Sequence, residues 1–187
     1  MDSEAEQAFT DFVTDAGAKL LAFSRLLIAD RGDAEDALQV ALMRLTRHWH
    51  RELAAPTAYV RQALVNIARD RARRRHLVPA LTSSGRTVEG TTEDDLPAAM
   101  VRESIETLLE GLPPRQRVTV VLRVVEGCSE SETAALMRCA PGTVKSNLAR
   151  GLERLRANHE RRQAIDDHGH SGDHPPTHRE PIEGASA

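Results

Sequence analysis

The stretch Ser129-Glu130-Ser131-Glu132-Thr133-Ala134-Ala135-Leu136-Met137-Arg138-Cys139-Ala140-Pro141-Gly142-Thr143-Val144-Lys145-Ser146-Asn147-Leu148-Ala149-Arg150 decides the fold. Ser129 with Glu132 three residues later is a capping box, in which hydroxyl and carboxylate satisfy each other's backbone amides at a helix start. A short helix follows, carrying Ala134, Ala135, Leu136 and Met137. Arg138-Cys139-Ala140 is a tight connection, and a longer helix opens near Pro141 and Gly142. Val144, Leu148, Gly151, Leu152 and Leu155 form its inner face, and Lys145, Ser146, Asn147, Arg150 and Arg154 its outer face. A short helix, a tight turn and a longer helix with a polar, basic face read as a helix-turn-helix. Lys, Arg and Asn reach base edges in the major groove, and Ser and Thr bind phosphates. An ordinary helical hairpin with a charged exterior would show the same pattern.

Upstream, Val101, Ile105, Leu108, Leu109 and Leu112 predict one amphipathic helix ended by Pro113-Pro114. Val118, Val121, Leu122 and Val125 give the next helix its apolar stripe, and Gly127 breaks it. Before these, residues 76–97 lose helical periodicity and hold Thr82-Ser83-Ser84-Gly85 and Gly90-Thr91-Thr92-Glu93-Asp94-Asp95, a loop-forming composition. We read 77–97 as a flexible linker.

The first part of the chain is also helical by pattern. Phe9, Phe12 and Val13, then Leu20, Leu21, Phe23 and Leu27, space as helical apolar faces on both sides of Gly17. Asp30-Arg31-Gly32-Asp33 reads as a turn, with Asp33 as N-cap and Glu35 and Asp36 in the first turn of a helix. Ala37, Leu38, Ala41, Leu45 and Trp49 mark its buried face. Pro56 opens a further helix in which Val60, Ala63, Leu64 and Ile67 step i, i+3, i+4, i+7. Trp49 fits the core by spacing, whereas Tyr59 fits a core edge or a platform for base stacking.

Composition and charge narrow the class. The 187 residues carry a formal charge of −3 and only 3% aromatics, which leans all-α. The net value hides blocks: residues 1–40 sum to −6, 41–86 to +8, 87–113 to −6, 114–157 to +4 and 158–187 to −3. Arg69, Arg71, Arg73, Arg74 and Arg75 are offset locally only by Asp70. Charges that dense repel unless a polyanion neutralises them, although a helix C-terminus favours cations by itself. No apolar run reaches the ~18 residues of a membrane span. The start of the chain lacks the basic-then-apolar order of a signal peptide, and two cysteines, Cys128 and Cys139, make no disulfide framework. A reducing cytoplasm is the expected setting.

These pieces, in this order, resemble the bacterial extracytoplasmic-function sigma factors, and within them the sigma-E-like group of high-GC bacteria. The likeness rests on Asp33-Ala34-Glu35-Asp36-Ala37-Leu38-Gln39, Pro56-Thr57-Ala58-Tyr59-Val60-Arg61, Leu64-Val65-Asn66-Ile67-Ala68-Arg69-Asp70, Leu112-Pro113-Pro114-Arg115-Gln116-Arg117 and Pro141-Gly142-Thr143-Val144-Lys145-Ser146. The resemblance implies an all-α chain: a polymerase-docking and minus-ten domain over 1–76, the linker, a helix-turn-helix domain for the minus-thirty-five element over 98–157, and a disordered His-rich tail over 158–187. It implies that Asp33, Glu35, Asp36 and Gln39 dock on core RNA polymerase, whose β′ and β subunits are the expected partners. Tyr59, Arg61, Asn66, Asp70, Arg71, Arg73, Arg74 and Arg75 are implied at the minus-ten element. Thr143, Lys145, Ser146, Asn147 and Arg150 are implied at the minus-thirty-five element, with Arg115 and Arg117 at its phosphates. Promoter DNA and an anti-sigma factor are the further partners; no cofactor, metal or catalysis is implied.

Four positions depart from the family pattern. Val40 stands where an acidic residue is usual, Arg138 where the turn usually has Gly, Ala140 where Ser or Thr usually caps, and Gly127-Cys128 where an Asp-Leu pair is common. A simple helix-turn-helix regulator, or an adaptor that holds polymerase without melting promoters, would share much of the sequence. An enzyme is disfavoured: there is no Gly-rich phosphate loop, no His-Glu-x-x-His and no Cys-His pairing with an orienting group. His168-Gly169-His170 has metal-binding spacing, but the tail's Pro, Gly and Asp content reads as disorder, and the cysteines as small apolar fillers.

Overall fold

The computed structural model describes residues 3–49, 54–75 and 105–169, and all their regular structure is helical. In chain order these are α1 (Ser3–Leu27), α2 (Arg31–Thr46), α3 (Pro56–Arg75), a short helical stretch over 105–109, α4 (Pro114–Val120), α5 (Glu130–Met137) and α6 (Pro141–Gly169). Residues 76–104, which contain the expected linker, lie outside the described residues.

The first three helices form one layer system. Asp30, not Asp33, caps α2: its extended backbone (φ −78°, ψ 125°) lets its carboxylate accept from the Asp33 amide at 2.8 Å. Asp33 is therefore one turn inside the helix, corrected by a capper three residues upstream. Ser24, fully buried near the end of α1, donates to the Ala34 carbonyl at 2.7 Å and ties α1 to the first turn of α2. Ala34, Ala37 and Ala41 are all 0% exposed, and such small side chains let α2 approach its neighbours closely. Trp49 folds back on α1, where Phe9 meets it edge-on at 5.1 Å and Phe12 at 5.4 Å, in the geometry aromatic pairs favour.

The second half is built on α4 and α6. Pro114 starts α4, which passes into a π-helical turn over Val121–Val125 closed by the Glu126 amide on the Val121 carbonyl at 3.0 Å. The wider turn rotates the end of the helix off its stripe. Val125, expected to be buried, is thus 43% exposed, beside Val124 at 59%. Gly127 adopts φ 67°, which a non-glycine residue resists, and the chain then turns into the Ser129–Glu132 capping box. The box is formed as read from the sequence, and hydrogen bonds from Ser129 hold the Glu132 carboxyl below its ordinary value.

One boundary differs from expectation. Helix α6 continues past residue 158 to Gly169, so 158–169 is helix rather than tail; residues 170–187 lie outside the described residues. The two helical domains are present as expected, and they pack on each other. One continuous apolar core runs from Leu20, Phe23, Leu26 and Leu64 into Leu112, Val118, Val121 and Leu122. Each half alone offers few large side chains, and pooling them raises the buried fraction.

Among the described glycines the closest packing is at Gly151, where a methyl added to the backbone falls 2.7 Å from Cγ2 of Val120. Gly151→Ala should therefore lower stability by about 1–3 kcal/mol, as overpacked cores do. A urea titration followed by circular dichroism measures this; an unchanged midpoint would show that α4 and α6 are not packed at this depth.

Candidate nucleic-acid interface

The helix-turn-helix is α5, the connection Arg138–Ala140, and α6. Arg138 ends α5 in the left-handed region (φ 50°, ψ 54°). Its amide and that of Cys139 return to carbonyls of Ala134 and Ala135, which makes the turn tight enough to start α6 two residues later. The Ala134 methyl, the Met137 side chain and Val144 are buried where the two helices meet. That packing turns Lys145, Ser146 and Arg150 outward, with Thr143 and Asn147 half-buried beside them. Ser146 donates to the Thr143 carbonyl at 3.1 Å, a local bond compatible with a helix facing solvent.

Arg115, exposed on α4, lies with Thr143 and Asn147 around a cleft of about 250 Å³. Its companion Arg117 does not. Two residues along a helix turn the side chain by about 200°, so Arg115 and Arg117 leave α4 on opposite sides. Arg117 is 3% exposed; its Nε donates to the Leu26 carbonyl at 2.7 Å and its Nη2 to the Arg25 carbonyl at 2.8 Å. Burial holds its pKa down to about 10. The expectation that Arg117 meets DNA phosphates is corrected: in this structure it closes the C-terminal end of α1.

The arginines of α3 divide in the same way. Arg73 and Arg74 are exposed; the side chain of Arg75 lies outside the described residues. Arg69 donates to Asn66 Oδ1 at 2.9 Å, to Asp70 at 3.0 Å and to the Leu136 carbonyl of α5 at 3.2 Å. That side-chain bond keeps the Asp70 carboxyl below its ordinary value, with Arg73 and Arg138 adding to it. Arg71 turns inward, donating to the Asp33 carbonyl at 2.6 Å and pairing with its carboxylate at 3.3 Å. Arg61 lies 4.1 Å above the Phe23 ring and is ion-paired with Glu126; burial lowers its pKa. Tyr59 stands half-buried against the His48 ring at 5.7 Å, at the edge of the core.

The candidate docking residues are on α2. Glu35, Asp36 and Gln39 are exposed, with Glu35 paired to Arg25 at 3.0 Å, while Asp33 is drawn to Arg71. Val40 and Met43 are 40% and 63% exposed on the same helix. Asp36, Val40 and Met43 follow i, i+4, i+7, one stripe of the helix surface. Met43 escaped the sequence reading, although its place one turn beyond Gln39 and Val40 was there to be counted. Glu126 and the cleft-lining role of Arg138 escaped it because both depend on contacts between distant parts of the chain.

Residues 102–155 match the family described as Sigma-70, region 4. The chain is 36% identical over 152 residues to the RNA polymerase sigma-E factor of Streptomyces avermitilis, covering 79% of this chain and 83% of that one. It is 32% identical over 161 residues to the extracytoplasmic-function sigma factor SigL of Mycobacterium tuberculosis, covering 81% and 89%. The chain belongs to the extracytoplasmic-function RNA polymerase sigma factors. Its fold is similar to that of the sigma factor RpoE of Bartonella quintana, solved in complex with the anti-sigma factor NepR, with a TM-score of 0.53, 24% identity and coverage of 81% and 96%.

Two departures of this sigma factor from its family pattern now have a physical setting. Arg138 pays the left-handed backbone strain that a glycine avoids. Ala140 offers the start of α6 no side-chain acceptor, and its carbonyl accepts from the Thr143 amide at 2.9 Å and the Val144 amide at 3.3 Å. Arg138→Gly and Ala140→Ser should each raise stability by about 1 kcal/mol. Thermal unfolding of the two single variants and the double variant checks this, and near-additive shifts are expected. A loss of stability in Arg138→Gly would mean that its guanidinium contributes more than its backbone costs.

Proposed function

We propose that this sigma factor binds core RNA polymerase and directs it to promoters with two elements, with no catalysis of its own and in the cytoplasm, where transcription takes place. The observation that carries this reading is the coexistence on one chain of an outward basic helix-turn-helix face and an acidic, partly apolar stripe on α2. A DNA-binding regulator needs only the first.

In this reading Lys145, Ser146, Asn147 and Arg150 of α6, with Thr143 at its start, read the minus-thirty-five element in the major groove, and Arg115 anchors a phosphate. Arg73, Arg74 and Arg75 line the minus-ten strand, joined by Asn66, Asp70, Arg61 and Arg71 once their internal partners are released. Glu35, Asp36 and Gln39 face a basic surface of the polymerase, and Val40 and Met43 supply the apolar area that a stable contact requires. Val40 in place of an acidic residue trades charge steering for burial.

Run-off transcription with core polymerase and genomic fragments is the direct test, with discrete starts sharing two upstream elements as the expected result. Asp36→Arg should reduce initiation by about tenfold or more while leaving affinity for a promoter fragment unchanged. Lys145→Ala should weaken promoter recognition by about 10- to 100-fold if it contacts a base edge, with selective loss at one base pair. If it contacts a phosphate, the loss is uniform across sequences and the log–log salt slope falls by about one. Co-elution with core without any start site would instead favour an adaptor, and failure of both would favour a stand-alone regulator.

A further inference from the structure

The cleft beside the helix-turn-helix is walled by cations from three parts of the chain. Arg69 and Arg73 reach it from α3, Arg115 from α4 and Arg138 from the turn, with Thr143 and Asn147 of α6 beside them. Asp70 is the one carboxylate in the lining, and Arg69 already holds it with bonds at 3.1 and 3.0 Å. The guanidiniums of Arg73, Arg115 and Arg138 have no hydrogen-bond or ion-pair partner among the described residues, and Arg73 and Arg138 act on Asp70 only as nearby charges. Thr143 stands in the first turn of α6, so the positive end of that helix adds to the field, and Ala140 supplies no side-chain acceptor to compete with an anion. Arg69 and Arg138 have no part in the promoter-reading assignment above.

Like charges gathered without counter-charges repel, and an anion placed among them removes that cost. One phosphate monoester carries about −1.5 to −2 at pH 7, short of three unpaired guanidiniums, whereas two or three linked phosphates match them. Guanidinium forks take phosphate oxygens two at a time. A small ligand in this cleft of about 250 Å³ is grasped from both walls, whereas a phosphate of a duplex has its own strand on one side and meets only one wall. A second depression, of about 320 Å³, adjoins the first at Arg115 and Asn147 and continues to Gln116 and Arg150. Gln116 is 8% exposed, and its Oε1 is buried without a partner among the described residues. A buried amide oxygen without a donor is costly, and the amino group of a nucleobase is such a donor.

We propose that these joined depressions bind a nucleoside di- or triphosphate, with its phosphates among Arg73, Arg115 and Arg138 and its base toward Gln116. Arg69 neutralises Asp70, which would otherwise repel the phosphates, and Thr143 and Asn147 add neutral donors from α6. Arg115, Thr143 and Asn147 are also assigned to the minus-thirty-five element, so nucleotide and promoter exclude each other. That consequence rests on the promoter-reading assignment above; the nucleotide site does not.

Isothermal titration of the full chain with ATP, GTP, tripolyphosphate and adenosine, without DNA, reads the site. Fluorescence anisotropy of a labelled duplex carrying the minus-thirty-five element reads the competition. Arg138→Gly removes one guanidinium and relieves its left-handed backbone, so the fold is kept. Arg156→Ala removes an exposed charge of α6 outside both depressions. The expected result is saturable binding of the triphosphates, weakened about tenfold or more by Arg138→Gly and unchanged by Arg156→Ala. Gln116→Leu should weaken the nucleotides about threefold more than tripolyphosphate, and ATP should displace the duplex from the wild-type chain. No saturable nucleotide binding, with the duplex still bound, would overturn the nucleotide site and leave the promoter-reading assignment standing. Tripolyphosphate binding as tightly as ATP, or equal losses in Arg138→Gly and Arg156→Ala, would show unspecific attraction of anions and overturn the site as well. Nucleotide binding as expected in a chain that binds no duplex would support the site and overturn the promoter-reading assignment.

Discussion

The last carbonyls of any helix lack amide partners, and at the end of α1 those of Arg25 and Leu26 are met by a guanidinium from the other half of the chain. Arg117 brings a positive charge to the negative end of a helix dipole and makes two charge-assisted bonds there. The price is desolvation, visible in its pKa of about 10 and in an Nη1 without a partner among the described residues. Such a group is acceptable only while its acceptors stay in place. The apolar seam around it, with Leu26, Leu112 and Val118 buried, keeps water out only while the halves are in contact. That arrangement, with the apolar packing of α4 on α3, places the helix-turn-helix relative to α1 and α3.

The charge blocks acquire a meaning from this geometry. A run of arginines on α3 is repulsive in isolation, and the fold handles its members differently. Arg71 is spent on Asp33 and Arg69 on Asp70 and the Leu136 carbonyl, whereas Arg73 and Arg74 face outward. The outward ones supply steering for a polyanion at any time. The inward ones are held largely by Asp33, Asn66 and Asp70 of α2 and α3, so fewer cations face outward than the run contains.

Local order was legible in the sequence because local rules produce it. The Ser129–Glu132 box, the breaks at Pro113 and Gly127, and the strain at Arg138 each follow from a few neighbouring residues, and the structure has them where the pattern puts them. The Asp30 cap was missed by one turn because two aspartates compete three residues apart, and the backbone conformation, not the side-chain type, decides between them. The π-turn at Val121–Val125 was hidden because a 3.6-residue period assumes no insertion. The burial of Arg117 was half legible: helical rotation alone separates it from Arg115, but only the fold says what lies on its side. Contacts such as Arg61–Glu126 join residues far apart in the chain, and no local pattern encodes them.

A chain that shares one core between two halves and must also spread them along DNA faces a conflict between burial and reach. Closure hides apolar surface that neither half covers alone, while reading two elements requires that surface to be given up. The conflict is resolved only if the opening partner first gains a hold that closure leaves accessible. Helix α2 meets that condition: Asp36, Gln39, Val40 and Met43 are exposed in the closed chain, and α2 packs chiefly on α1 and α3. The acidic and apolar stripe is therefore exposed while Arg69 and Arg71 of α3 are held by internal partners.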